Sequence, residues 1–263
     1  MTHDLIAKAL DVNQANINLG IAEVFEAERA TFVRDRRWPD IRDANHVTDV
    51  RASTPEEIDS LLARAEREFT GFPHRAYFVD YRTPPAFESR LALEGYTQNA
   101  ALVMLLEGEL RSDTKQFEIR PVETDADWAA FGELQLLDWR EYRERDGLET
   151  EEEVGRRMGE THRIKSPPRR YWLGCIDGTP RGYFTSWEGT EGVGQVEDLF
   201  VQKEFRRRGL ATALIHHCVA DSRAYGCGPV VIVADPTDTP KQMYATMGFR
   251  PVALKRQWRI GAG

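Results

Sequence analysis

VEDLFVQKEFRRRGLATALIHHCVA, residues 196–220, decides the fold of this chain because a strand pattern changes there into a helix pattern across a basic turn. Residues 196–201 form an apolar run with strand character, and beyond Gly209 the apolar residues recur at helical spacing. The first amides of a helix lack internal partners and carry the positive end of its dipole. Three consecutive arginines add positive charge, and Gly209, without a Cβ, lets the main chain approach an anion. The stretch therefore predicts a phosphate-binding loop.

The arginine-rich turn also carries a family pattern. Arg206-Arg207-Arg208-Gly209-Leu210-Ala211 resembles the (Q/R)-x-x-G-x-(G/A) loop of the GNAT N-acetyltransferase superfamily, and Leu199-Phe200-Val201 resembles the L-x-V strand before it. The resemblance implies that the loop holds the pyrophosphate of acetyl-CoA, the expected co-substrate. The alternative is a solvated basic turn before an ordinary helix. The expected cofactor-binding residues are Leu199, Phe200, Val201, Arg206, Arg207, Arg208, Gly209, Leu210, Ala211, Thr212 and Asp235.

Residues 238–249, DTPKQMYATMGF, resemble the closing helix of the same superfamily. The resemblance gives Tyr244 the role of donating a proton to the departing CoA sulfur. A phenol with a pKa near 10 is protonated at neutral pH and can act as a general acid. A buried tyrosine with a purely structural role is the alternative. Asp235 stands near a position that often carries asparagine in the superfamily, where it would contact the pantetheine.

A base near the acceptor amine would help, because a lysine-like amine is neutral only about once in a few thousand molecules at pH 7. Strand alternation places Gln195, Glu197, Leu199 and Val201 on one face and Asp198 on the other. The resembling family commonly takes its base from this strand, so Glu197 is the expected catalytic base; a structural hydrogen bond is its alternative role. Backbone amides of residues 199–201 would polarise the thioester carbonyl.

The order strand, helix, strand, helix ending in Gly-aromatic, strand occurs twice in the chain. Gly95-Tyr96 corresponds to Gly248-Phe249, which predicts a diverged internal duplication, with coincidence as the alternative. Residues 1–113 would form a degenerate GNAT-like domain, and residues 114–263 the catalytic domain. The expected fold class is α/β (α+β). The resemblance implies two lobes, each with a mixed, mostly antiparallel sheet flanked by helices, and a V-shaped opening between two parallel strands in the second lobe.

The N-terminal residues 4–29 have an imperfect apolar stripe and are predicted to form one helix. Further elements expected in the first half are strands at 30–34, 45–51, 75–81 and 96–106, with helices at about 55–69 and 84–94 between them.

Composition limits the function. The chain has 263 residues and a net charge of -8, which argues against nucleic acid as the main partner. No apolar run reaches the roughly 18 residues of a membrane helix, and no secretion signal precedes the first helix, so no membrane association and a cytoplasmic location are expected. Cys175, Cys218 and Cys227 match no metal-ligand spacing, so no metal is expected.

The favoured function is transfer of an acetyl group from acetyl-CoA directly to a primary amine, on a small molecule or an amino terminus, by a monomer or homodimer. No cysteine is placed to form an acyl-enzyme, which favours direct attack. The alternative is a non-catalytic module that binds acyl-CoA or a protein partner. An aminoacyl-tRNA-dependent transferase is disfavoured because the loop pattern is intact and the chain is acidic.

Overall fold

The computed structural model describes residues 2–261, which form one large mixed sheet flanked by helices. The helices are α1 (His3–Asn18), α2 (Pro55–Glu68), α3 (Pro85–Leu93), α4 (Asp125–Arg145), α5 (Glu152–Ile164), α6 (Leu210–Ala224) and α7 (Pro240–Thr246). The strands are β1 (Glu23–Ala27), β2 (Ala30–Arg34), β3 (His46–Thr48), β4 (His74–Val79), β5 (Thr97–Leu106), β6 (Glu118–Pro121), β7 (Arg170–Ile176), β8 (Thr179–Thr190), β9 (Val193–Val201), β10 (Val230–Ala234) and β11 (Arg250–Gly261).

The eleven strands follow the order β1-β2-β3-β4-β11-β5-β10-β9-β8-β7-β6. The last strand of each half is exchanged: β11 pairs with β4 of the first half, and β5 pairs with β10 of the second. Outward from the central β11–β5 pair, β4-β3-β2-β1 on one side corresponds to β10-β9-β8-β7 on the other, where β6 is added at the edge. Strands β3–β4 and β9–β10 are the two parallel pairs. The mixed α/β fold is confirmed, and the matching order is compatible with the predicted duplication.

Helices cover both faces of the sheet. Helices α6 and α7 pack on one face, where Leu214, Cys218 and Tyr244 belong to one buried cluster. On the other face, α1 covers the middle of the sheet through Leu10, and α4 covers β7 to β9 through Phe131. None of the helices within residues 2–261 combines the length and hydrophobicity needed to cross a bilayer.

The prediction of one helix over residues 4–29 is wrong beyond residue 18. Gly20 has a φ of +71°, which ends the helical path, and β1 begins at Glu23. A Cβ at Gly20 would lie 2.5 Å from the carbonyl oxygen of Ile164, so the close approach also requires glycine. Val24 and Phe25, which extended the apolar stripe in the sequence, belong instead to a strand paired with β2.

The predicted V-shaped opening is confirmed. Strands β9 and β10 pair in parallel only at Gly194–Val230 and Gln195–Val231. Both strands then continue, to Val201 and Ala234, without further pairing to each other. The backbone at the carboxyl end of β9 is therefore available on the side that faces β10.

Candidate active site

A groove of about 830 Å³ lies at the opening beside β9. Its walls are the end of β9, the loop before α6, the first turn of α6, the start of α7 and one face of α4. Nine of the eleven predicted cofactor-binding residues line it: Leu199, Phe200, Val201, Arg206, Arg207, Gly209, Leu210, Ala211 and Thr212. Arg208 and Asp235 are outside this set.

The start of α6 presents free backbone donors to the groove. Gly209 precedes the helix with a φ of +104°, a conformation that glycine adopts easily. The amide of Ala213 donates to the carbonyl oxygen of Gly209 at 3.0 Å, and within residues 2–261 no side-chain acceptor engages the three amides before it. These three amides belong to groove-lining residues, so the corner is open and its donors are available to an anion.

The three arginines of the turn have different surroundings. Arg206 donates from Nε to the carbonyl oxygen of Val201 at 2.8 Å, and its guanidinium pairs with Glu141 of α4. Arg207 lines the groove with a φ of +61°. Arg208 donates to the carbonyl oxygen of Glu204 at 3.2 Å and lies 5.1 Å above the Phe205 ring, outside the groove lining. Two of the three guanidiniums can therefore contribute positive charge to the groove.

Asp235 has local partners. Its Oδ1 accepts hydrogen bonds from the amide of Thr237 at 2.7 Å and from the Thr237 hydroxyl at 2.6 Å. Its Oδ2 lies 3.2 Å from Arg145 of α4, which also pairs with Asp238 at 2.8 Å. These contacts tie α4 to the loop before α7. The predicted contact between Asp235 and pantetheine stays a prediction.

A bulge in β9 changes which side chains share a face. The register with β8 shifts between Tyr183–Phe200 and Thr185–Glu197, and Asp198 has a φ of +62°. Val196 packs in the same cluster as Leu199 and Val201, so the prediction that Glu197 shares a face with those two residues is wrong. The prediction that Asp198 lies opposite Leu199 and Val201 agrees with the structure. Leu199 and Val201 join the cluster under α6, whereas the Asp198 carboxylate pairs with Arg169 on the opposite face and lies 3.6 Å from His162 of α5. A bulge leaves ladder groups unpaired, here beside the groove.

Glu197 and Tyr244 lie near the groove but outside its lining. Burial, together with the charge of Asp198, raises the pKa of Glu197 to about 8, and Gln195 Nε2 donates to its carboxylate at 2.5 Å. Tyr244 is 5% exposed, and burial, reinforced by the charge of Glu197, raises the pKa of its phenol above the ordinary value. Tyr244 therefore carries its proton at neutral pH.

Asp138 is a candidate functional residue that no sequence pattern indicated. It projects from α4 into the groove, and its carboxylate accepts a hydrogen bond from the Tyr183 hydroxyl at 2.8 Å. Tyr183 is paired with Phe200 in the adjacent strand, so Asp138 is held beside the β9 bulge. Burial raises the pKa of Asp138 to about 7. No local pattern distinguishes this carboxylate from the other acidic residues of α4, since only the fold brings it to β9.

A second space, which we call the inter-lobe cavity, adjoins the groove. It has a volume of about 520 Å³ and lies between residues 40–43 of the first half and helices α4 and α5 of the second, with Gln257 of β11 also in its wall. Asp138 and Tyr142 line both the groove and the cavity, so the two spaces share one wall. No group of three or more histidine, cysteine or acidic residues within 2–261 is placed to hold a metal ion.

Comparison with known proteins adds a family and a fold. Residues 128–249 match the model of the Acetyltransferase (GNAT) family. A glucosamine 6-phosphate N-acetyltransferase from Trypanosoma brucei brucei is 36% identical over 72 residues, which are 27% of this chain and 46% of that relative. The chain thus matches less than half the length of that curated relative.

Two solved structures share the fold over most of the chain. A GCN5-related N-acetyltransferase from Kribbella flavida superposes with a TM-score of 0.66 at 15% identity, covering 97% of this chain and 96% of that one. A tandem GNAT protein from the clavulanic acid biosynthesis pathway gives a TM-score of 0.56 at 16% identity, covering 78% and 70%. At these identities the likeness shows the fold alone, and it is compatible with the predicted duplication.

Proposed function

Because residues 128–249 form a domain of the Acetyltransferase (GNAT) family, we propose that this chain transfers the acetyl group of acetyl-CoA directly to a primary amine. The observation that carries the proposal is the groove, in which open α6 amides face the end of β9. The N-acetyltransferase name of the curated relative, whose amino sugar is a primary amine, also supports an amine acceptor. A small molecule or an amino terminus would supply that amine.

The groove residues fit the parts of acetyl-CoA. The first amides of α6 would bind its diphosphate, with Arg206 and Arg207 adding charge from the same turn. On the edge of β9 that faces β10, backbone groups of Leu199 to Val201 would hydrogen-bond the amide groups of the pantetheine arm, although the Val201 carbonyl oxygen already accepts from Arg206. The bound thioester supplies an activated acetyl group. Unpaired amides at the β9 bulge would stabilise the negative charge that develops on its carbonyl oxygen.

Asp138 and Tyr244 would move the protons of the reaction. The amine nitrogen forms a bond to the acetyl carbon, the carbon–sulfur bond breaks, a proton leaves the nitrogen for the Asp138 carboxylate, and the Tyr244 hydroxyl donates a proton to the departing sulfur. We assign the base to Asp138 because it lines both the groove and the inter-lobe cavity. Glu197, the base expected from sequence, lines neither space and remains the alternative.

The first test concerns cofactor binding. Gly209→Glu would place a side chain at a residue with a φ of +104° and a negative charge beside the expected diphosphate. Gly95→Glu is a matched control, because Gly95 also has a positive φ, +82°, but lies in the first half with open space around it. In isothermal titration with acetyl-CoA, we expect wild type and Gly95→Glu to bind alike and Gly209→Glu to bind at least about tenfold more weakly. Equal affinity of all three proteins would refute the proposed site.

The alternative is a module that binds acyl-CoA or a protein partner without catalysis. One observation favours it, since neither Glu197 nor Tyr244 lines the groove. The two functions differ in whether free CoA thiol is released when the protein is incubated with acetyl-CoA and a panel of amines. Thiol release that Tyr244→Phe reduces would support the transferase, whereas tight CoA binding without release would support the binding module.

A further inference from the structure

The inter-lobe cavity has the size and position of an acceptor site. Its volume of about 520 Å³ falls within the range of small-molecule sites, roughly 300–1,000 Å³. It meets the groove at Asp138 and Tyr142, so a ligand in the cavity can reach a thioester in the groove across that shared wall. Residues 40–43 close the cavity from the first half of the chain, which has no residue in the groove itself.

The α4 wall of the cavity contains a buried hydrogen-bond acceptor without a donor in the part of the chain that the structure describes. Gln135 is 5% exposed, and its Oε1 has no hydrogen-bond partner within residues 2–261, although it is buried. Gln135 and Asp138 are three positions apart on α4 and both line the cavity, so their acceptor atoms lie on one face of the helix. A buried acceptor without a partner is costly, and a primary amine can donate to both groups at once.

The opposite wall contains the guanidinium of Arg42 together with the carboxylates of Asp40 and Asp43. Arg157 lies 2.9 Å from Asp40 and Arg143 lies 3.2 Å from Glu151, whereas Asp43 and Asp138, which also line the cavity, form no ion pair within residues 2–261. Arg42 forms no ion pair within residues 2–261, and the Tyr142 hydroxyl and the Asp43 carboxylate are its neighbours.

The surroundings of Arg42, which shift its pKa, also favour an anion at this position. Burial and the neighbouring charge of Arg259 lower its pKa, and Asp43 and Tyr142 offset this only in part. A guanidinium in such a place is stabilised by an anion that supplies both charge and acceptor oxygens.

We infer that the inter-lobe cavity binds the acceptor, and that this acceptor is a small primary amine that also carries a carboxylate or phosphate group. Its amine lies between Gln135 and Asp138, and its anionic group lies at Arg42. The inference rests on the proposed acetyltransferase function and gives that function a substrate class. It also gives the first half of the chain a role, because Arg42 sets which amines are accepted.

The test uses pairs of amines that differ in the anionic group. Phenylalanine and 2-phenylethylamine differ by a carboxylate, and glucosamine 6-phosphate and glucosamine differ by a phosphate, so the pairs separate the two kinds of anion. Release of free CoA thiol is measured for wild type, Arg42→Gln, Arg42→Lys and the control Arg67→Gln, which changes an exposed arginine of α2. Thermal melting of each variant confirms that it is folded.

We expect wild type to favour the anionic member of at least one pair by about tenfold or more in kcat/KM. Arg42→Gln should lose about 10- to 100-fold on that member, the effect of removing a charge-assisted hydrogen bond, and little on its uncharged partner. Arg42→Lys should recover part of the loss, and Arg67→Gln should behave as wild type. Should Arg42→Gln not fold, Arg42→Lys and the wild-type preference decide the question.

Two results would count against the inference in different ways. If wild type acetylates both members of every pair equally, or if Arg42→Gln reduces both equally, the inference is wrong while the proposed function stands. If no amine releases thiol although acetyl-CoA binds, the proposed function fails, and the acceptor assignment fails with it.

Discussion

Replacing Asp138 by asparagine should make the protein more stable and less active. Asparagine has nearly the same shape, and its side-chain oxygen can still accept the hydrogen bond from the Tyr183 hydroxyl. It carries no charge into the buried wall between the groove and the inter-lobe cavity, and it cannot accept a proton from an amine. The variant therefore separates the cost of a buried carboxylate from its use in catalysis.

The gain in stability follows from the pKa of Asp138, which burial raises from 3.8 to about 7. Below about pH 4 the carboxyl is protonated in both the folded and the unfolded state, so its burial does not lower the free energy of unfolding through its charge. As the pH rises to about 7, the unfolded chain releases this proton while the folded protein retains it, so wild type loses stability over that interval. At about 1.36 kcal/mol per pKa unit the ceiling is about 4 kcal/mol. Because the carboxyl is partly exposed to the groove, we expect a gain for the variant of about 2 kcal/mol at pH 8.

The loss of activity should depend on the protonation state of the same carboxyl group. A general base works in its deprotonated form, so wild-type kcat/KM should rise as the pH approaches about 7 and level off above it. Asp138→Asn should lower kcat/KM by about 10²- to 10⁴-fold, the usual contribution of a general base, and remove that rise. If Glu197 were the base, Glu197→Gln would instead remove the rise.

Urea denaturation between pH 4 and pH 8 measures the stability, and thiol release over the same range measures the activity. Glu133→Gln is the control, because Glu133 is an exposed carboxylate on the same helix. The stability difference between Asp138→Asn and wild type should grow with pH, and Glu133→Gln should show no such trend. An asparagine variant that is less stable than wild type at pH 8, or that keeps full activity, would contradict the assignment.

Three further predictions concern other parts of the molecule. Tyr244→Phe should lower kcat by about 10²-fold with unchanged affinity for acetyl-CoA in titration, because only the proton donor is lost; a parallel loss of affinity would make Tyr244 a positioning residue. Asp198→Asn keeps a residue that tolerates the positive φ but leaves Arg169, 3% exposed, without its carboxylate, so urea denaturation should show a loss of about 3–5 kcal/mol. A fragment of residues 1–113 lacks β11, the partner of both β4 and β5, so its circular dichroism melt should show no cooperative transition; a cooperative melt would show that this half folds alone.

The sequence was sufficient for features that short segments encode. The strand, turn and helix around Gly209 have local causes, namely an apolar run, a residue free to adopt positive φ, and helical spacing after it. The capping box at Thr54 and Glu57 likewise starts α2 at Pro55. The family resemblance then supplied the V-shaped opening, which depends on the separation of β9 from β10 and which no residue pattern reveals.

Features that depend on contacts between residues far apart in the chain could not be predicted from the sequence. The bulge at Asp198, where the carboxylate pairs with Arg169 29 residues earlier, breaks the alternation, so the sequence wrongly predicted Glu197 on the same face as Leu199 and Val201. Asp138 acquires its raised pKa only when Tyr183 and β9 pack against α4. The exchange of β5 and β11 is hidden for a similar reason, because no local pattern in either strand says which half of the sheet it joins.

The exchanged strands give a structural role to the first half, which adds none of its described residues to the groove beside β9. Strand β11 continues from the groove-forming half into the first, where residues 256–261 pair with β4, and its residues 250–259 pair with β5. The two halves therefore share one continuous sheet and are connected by two strand interfaces. Residues 40–43 belong to the first half, so this sheet fixes Arg42 relative to Asp138 on α4. An acceptor site built across the halves needs that rigidity. The amine and the anionic group of one small molecule are a fixed distance apart, so Asp138 and Arg42 must be held at a matching separation.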